Sequence, residues 1–306
     1  MINGDSGNRF CDGVNCPSLP LGRLMRRSAA TSLDPSGTAS APGYARSERP
    51  SLGRRFHGSV DRVAVIKTSL RHDIDGASFD AVLVHDDTHA PAQTVLVVHG
   101  MEGRSDLQVD FAARLTQWGY QAVAVDLFGE EVTRGGMDAT GAEMARFAED
   151  RNALAQRLAT VFTAVTSVPQ VAGTQLAAIG FCFGGLCVLD LARAGHPLAG
   201  VASFHGLLTA HPTLGERDVH ARVLVLHGWD DPFAPPQDVV ALGREFSSRG
   251  IDWQLHAYGD TMHAFMAPWA DDRERGILYS ETASRRAWTA LGHFLQECFG
   301  TGGPAH

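Results

Sequence analysis

Lysine is nearly absent from this chain. Lys67 is the only one among 26 cationic residues, and the rest are arginine. Net charge is −8, which argues against a nucleic-acid partner. No apolar run approaches the roughly 20 residues that a membrane span needs. The N-terminus lacks the compact apolar segment of a secretory signal. A cytoplasmic protein without a membrane partner is therefore expected. Cysteine is sparse and odd in number: Cys11, Cys16, Cys182, Cys187 and Cys298. Such scatter suggests no disulfide framework and fits a reducing compartment. No Gly-x-Gly-x-x-Gly follows a strand and no phosphate-cradling P-loop occurs, which disfavours a cofactor-dependent oxidoreductase. No cofactor and no metal are expected. Two lone cysteines make a poor metal site, and His85-Asp86-Asp87-Thr88-His89 fits a polar turn before Pro91 better than a ligand cluster. No interface stripe stands out, so a monomer is expected.

What is present divides unevenly. Residues 1–58 hold eight Arg against four acids, +4, which leaves −12 on the rest. This segment is rich in Ser, Gly, Pro, Arg and Ala, has no helical or strand period, and is expected to be a disordered basic extension. A globular domain over 59–300 and a flexible tail over 301–306 complete the expected organisation. The fold should begin near Val60. Strands are predicted at Val63–Ile66 and Ser78–Val84, joined through a turn at Asp75-Gly76. From Val95 onward strands and helices alternate. Strands are predicted at Val95–Val98, Gln121–Val125, before Cys182, and at Ala199–Phe204, Arg222–Leu226 and Trp253–Tyr258. Helices are predicted at Asp106–Trp118, at Ala142–Val165 as one long stretch, after Cys182, and at Gln237–Ser247 and Glu281–Phe299. This alternation predicts an α/β fold with a mostly parallel sheet covered by helices on both faces. Ligands on such sheets bind outside the carboxyl ends of the strands.

The chain is organised around Gly180-Phe181-Cys182-Phe183-Gly184-Gly185. An apolar strand breaks there into a small-residue helix. That is the nucleophile-elbow pattern with cysteine in the place of serine. A Cβ at Gly180 or Gly184 would collide with neighbouring backbone. The turn places Cys182 at a helix N-terminus, where free N–H groups and the positive dipole end favour a thiolate. A lone cysteine after an apolar run is more often core; the glycines and the strand-to-helix switch tip the balance here. Cys187, five residues on, reads as packing.

A thiol nucleophile needs a base and an orienting acid, which in α/β-hydrolases follow in the order acid, then histidine. Asp230 and Asp231 both follow a strand end. Asp231, which opens Asp231-Pro232-Phe233-Ala234-Pro235, is preferred. Among the histidines, His205 and His227 come too early, though His205 could line the pocket. His256 lies inside the last strand and reads as packed, and His293 lies in the last helix. His263, on the loop after the last strand, has the required position. The oxyanion donors expected are the backbone N–H groups of Phe183 and Met101.

With these residues in place, positions 60–300 resemble the dienelactone hydrolase family, the carboxymethylenebutenolidases. The resemblance is carried by Gly180–Gly185, Phe204-His205-Gly206, Asp231–Pro235 and His263-Ala264-Phe265, in that order. It implies an α/β-hydrolase fold, a triad of Cys182, Asp231 and His263, and a small lactone or ester substrate such as a dienelactone. One departure stands out. The family carries a glutamate directly after the histidine that ends the first parallel strand. Here that place is Gly100, with Glu102 two residues further on as a candidate substitute. The rival expectations are a broader cysteine esterase or thioesterase of the same fold, and a non-catalytic binding protein.

Overall fold

The structure is a computed structural model that describes residues 65–86, 92–214 and 217–300. All of them belong to one compact unit, Val60–His306. The basic extension at 1–58, the start of the domain at 59–64, the 301–306 tail, Cys11, Cys16 and Asp87–His89 lie outside the described residues.

The β1 strand (Val65–Ile74) and β2 (Ala77–Asp86) pair antiparallel through the Asp75-Gly76 turn. The first strand is far longer than its apolar core suggested, because it alternates polar residues on an exposed face. His85 and Asp86 belong to the end of β2 rather than to a turn. Then come β3 (Gln93–Val98), α1 (Asp106–Thr116), β4 (Gln121–Val125), α2 (Glu130–Arg134), α3 (Gly136–Glu149) and α4 (Arg151–Thr166). The elbow follows as β5 (Gln175–Phe181) and α5 (Phe183–Arg193). The chain finishes with β6 (Gly200–Phe204), β7 (Arg222–Gly228), α6 (Pro236–Ser248), β8 (Trp253–Tyr258), β9 (Asp271–Asp272), β10 (Ile277–Leu278) and α7 (Glu281–Phe299).

The sheet order is β1-β2-β4-β3-β5-β6-β7-β8. β1 to β2 and β2 to β4 are antiparallel, and every later pair is parallel. The central strands are mostly apolar and almost wholly buried because both faces are covered. Along β3, Val95 and Val97 face α1 and α7, with Phe111, Leu115 and Trp288. Leu96 and Val98 lie on the other face with α4 and α5, beside Leu158 and Leu191.

Two expectations are corrected. The long helix over Ala142–Val165 is two helices, because Asp150 leaves the helical region at φ −108, ψ 85 and its carboxylate accepts from the Ala153 N–H at 2.9 Å. An acid that competes for backbone donors caps a helix better than it continues one. His256 is only half-buried, because β8 is an edge strand whose residues are mostly partly exposed.

Candidate active site

The site is built at the carboxyl ends of β3, β5, β7 and β8. Cys182 sits between β5 and α5 at φ 55, ψ −118, a conformation rare for a residue with a side chain. The elbow is forced into this shape by close packing. A Cβ on Gly180 would overlap the Gly184 carbonyl, and one on Gly184 would overlap the Val98 and His99 carbonyls. The backbone is pinned from below, where the Cys182 N–H donates to the Phe204 carbonyl at 3.0 Å and to His205 Nδ1 at 3.2 Å.

The Cys182 side chain stands close enough to His263 to act on it electrostatically. His263 Nδ1 lies 2.7 Å from Asp231 Oδ2. The other Asp231 oxygen accepts from the Phe233 N–H at 2.8 Å. Asp231 is buried whereas Asp230 is exposed, which separates the two carboxylates that the sequence left adjacent. The structure thus brings Cys182, His263 and Asp231 together, with His263 hydrogen-bonded to Asp231 and Cys182 beside it. Burial pulls the His263 imidazolium down. The charge on Cys182 and the hydrogen bond to Asp231 outweigh it, leaving the group pushed up to about 10.

His205 also reaches the site, with its ring 5.1 Å from that of His263. Burial and the His263 charge hold it well below the usual histidine range. It is therefore neutral, as its Nδ1 must be to accept from Cys182. His227 lies apart from these hydrogen bonds. His293 is on α7, lining a surface cavity of about 550 Å³ between Gln93 and Trp118 at the opposite end of the sheet.

The loop after β3 carries Gly100, Met101 and Glu102. A Cβ on Gly100 would stand 2.6 Å from Glu102 Oε2 and 3.1 Å from Cys182 Cβ. The Glu102 carboxylate thus occupies the space that a side chain at position 100 would enter. Gln108 Nε2 donates to its other oxygen at 2.6 Å. Gln108 Oε1 in turn accepts from the Ser105 N–H at 3.0 Å, within the capping box of α1.

Two contributors went unread in the sequence. His99 donates from Nδ1 to the Gly100 carbonyl at 2.8 Å and accepts the Leu127 N–H on Nε2 at 3.1 Å. Burial holds it below the usual histidine range. Because a peptide unit is planar, fixing the Gly100 carbonyl fixes the direction of the Met101 N–H. The β9–β10 hairpin was missed because two-residue strands carry no period.

The sequence pattern of the dienelactone hydrolase family matches residues 79–299. This chain belongs to that family. Membership makes it a hydrolase of the carboxylic-ester class. Among solved structures it is similar to the dienelactone hydrolase-like promiscuous phosphotriesterase P91 from metagenomic libraries. The two are 30% identical, with a TM-score of 0.71 over 77% of this chain and 99% of that one. The Caenorhabditis elegans protein K02A2.1 is 38% identical over 49% of this chain and 98% of its own length. A Saccharolobus solfataricus protein provisionally named carboxymethylenebutenolidase is 24% identical over 74% of this chain and 96% of its own. Among the described residues no helix is long and apolar enough to cross a membrane, and no three His, Cys, Asp or Glu side chains group as a metal site.

Proposed function

We propose that this protein opens a small lactone or cleaves a small ester through a thioacyl-enzyme formed on Cys182, in the manner of a dienelactone hydrolase. The observation that carries this reading is the meeting of Cys182, His263 and Asp231 at the strand ends, with His263 Nδ1 2.7 Å from Asp231 Oδ2.

The Cys182 thiolate attacks the substrate carbonyl carbon, and the carbonyl oxygen becomes an oxyanion. The backbone N–H groups of Phe183 and Met101 receive it. Removing one donor of this kind typically raises a barrier by about 3 kcal/mol. Asp231 holds Nδ1 of His263, so Nε2 serves the nucleophile. Collapse breaks the carbon–oxygen bond, and His263 gives its Nε2 proton to the leaving oxygen. In a lactone that oxygen stays on the same molecule. Neutral His263 then takes a proton from water as the water attacks the thioester, and Cys182 leaves as thiolate. Asp231 keeps the imidazole in one tautomer and steadies its charge.

Glu102 lines the nucleophile side of this pocket. Its carboxylate stands where the family's glutamate side chain would begin. A second negative group beside a thiolate disfavours that charged form and makes the thiolate that does form the stronger nucleophile.

Hydrolysis of cis- and trans-dienelactone beside p-nitrophenyl acetate tests the reading, with wild type and Cys182→Ala. Turnover that disappears in the variant is the expected result. Turnover that survives it removes Cys182 from the mechanism. Turnover of the acetate alone narrows the reading to an esterase. A phosphotriester belongs in the same panel, because P91 is described as a promiscuous phosphotriesterase.

A further inference from the structure

We propose that the β9–β10 hairpin is a brace that sets the separation of Asp231 and His263, with Gly276 as its positioning residue. This deepens the triad reading above and rests on it.

The acid and the base arrive on different loops, one after β7 and one after β8. A 2.7 Å hydrogen bond between them requires that the loops be held against each other. The hairpin touches both. It clasps His263 through the backbone: the His263 N–H donates to the Gly276 carbonyl at 2.9 Å, and its carbonyl accepts from the Leu278 N–H at 3.0 Å. Ile277 pairs with His263 in a parallel bridge. On its other side the hairpin abuts the acid loop. A Cβ on Gly276 would stand 2.5 Å from Cγ and 2.7 Å from Cδ of Pro232, the residue after Asp231. Gly276 is also at φ +70, where a side chain is strained. One residue therefore holds the base by its carbonyl and lies so near the acid's neighbour that a side chain has no room between them. Asp231 Oδ1 accepts from the Phe233 N–H, so a displacement of Pro232 carries the carboxylate with it.

The brace is itself fixed. Ile277 pairs with Asp272 and Leu278 with Asp271. The Gly276 N–H closes the turn on the Arg273 carbonyl at 3.1 Å. The Arg275 N–H donates to Asp272 Oδ1 at 3.0 Å. Beyond the hairpin, Tyr279 N–H donates to the Ala270 carbonyl at 2.9 Å and Ser280 N–H to the Phe265 carbonyl at 3.2 Å. Ser280 then caps α7. The triad geometry is thereby tied to the longest helix of the domain.

The test is Gly276→Ala in the full chain, alone and combined with Pro232→Ala. The single variant should lower kcat by about tenfold or more with KM within about twofold, since small misplacements of catalytic groups act on the chemical step. It should also move the alkaline limb of kcat/KM to lower pH, and shift the low-field proton resonance of His263 Nδ1–H. The double variant lacks Cγ and Cδ of Pro232, the atoms met at 2.5 and 2.7 Å. It should recover most of kcat and return the resonance, although the strain at φ +70 remains. Gly250→Ala, at φ +64 with nothing within 4 Å, reports strain alone and should leave kcat unchanged.

Wild-type kcat and an unmoved resonance in Gly276→Ala overturn the brace. So does a double variant no better than the single, which assigns the loss to backbone strain. If Gly276→Ala does not fold, Pro232→Ala alone opens a gap at the same contact. It should lower the alkaline limb with the fold intact, and an unchanged limb and resonance overturn the proposal. The resonance reads the Asp231–His263 contact without turnover, so a failed brace and a failed triad (turnover surviving in Cys182→Ala) are distinct results.

Discussion

At Cys182 the backbone is held in a strained conformation so that one side chain projects over the strand ends. The chemistry then depends on what that side chain meets. It meets His263, whose imidazolium is pushed up to about 10 despite its burial, by the charge on Cys182 and the bond to Asp231. Two predictions follow from the sign of that shift. If the imidazolium is the proton donor to the leaving oxygen, kcat/KM falls as pH rises through about 10. Asp231→Asn removes one of the partners that raise the group, so the limb moves to lower pH and the rate drops; a pH profile of both proteins checks this. For stability, a histidine raised from an ordinary 6.5 contributes stabilisation that is whole below 6.5 and disappears as pH climbs through about 10. The thermal midpoint should therefore decline across that window. Cys182→Ala removes a charge that raises His263, and it should flatten the decline. A third prediction concerns Gly100. Gly100→Ala places a methyl 2.6 Å from Glu102 Oε2 and displaces that carboxylate. It should lower kcat/KM as much as Glu102→Ala does, by about tenfold, roughly 1.4 kcal/mol of barrier. Loss in one variant without the other would show that the carboxylate is not the group concerned.

At the scale of elements, the break between α3 and α4 rests on one cap. Asp150→Ala should lower unfolding free energy by about 1 kcal/mol, measured by denaturant titration, with kcat unchanged. This cap also marks where the sequence was hard to read. The helical pattern over 142–165 continues across Asp150, and only the local competition of its carboxylate for the Ala153 N–H ends the helix. The parallel strands were legible because each is a short apolar run with turn residues behind it, and their order along the chain fixed the alternation. β1 was underestimated because an edge strand with one wet face needs few apolar residues. In the site, Gly180, Gly184, Cys182, Asp231 and His263 were legible from motif and order. The places of Glu102, His99 and Gly276 were not, since each depends on where a loop folds back in space. The glycine at position 100 was the one visible signal, and its meaning required Glu102 to be seen filling the gap.

At the scale of the whole molecule, the face opposite α1 and α7 is joined by buried charge. Asp190 on α5 pairs with Arg193 at 3.1 Å and with Arg151 at the start of α4. Arg193, 1% exposed, also pairs with Glu245 on α6 at 2.8 Å and donates to the Thr209 carbonyl in the loop after β6. Three helices and a loop thus share one network. Breaking a buried pair by removing one partner leaves the other charge unpaired, at about 3–5 kcal/mol. Asp190→Ala takes the carboxylate from Arg151 and leaves Arg193 with Glu245 alone, and should destabilise toward the lower end of that range, read from a denaturation midpoint. The same substitution lies outside the triad, so the surviving folded fraction should keep its KM.

Glu102 has a consequence for how relatives of this chain are compared. Its carboxylate reaches the space beside Cys182 from two positions downstream of the expected column. A column-by-column comparison would score this chain as having lost an acid. With Glu102 in the role proposed above, a superposition that asks which atoms fill each cubic ångström would score it as having kept one. Chemical inheritance in such a loop is carried by occupancy, and sequence order is free to slide beneath it.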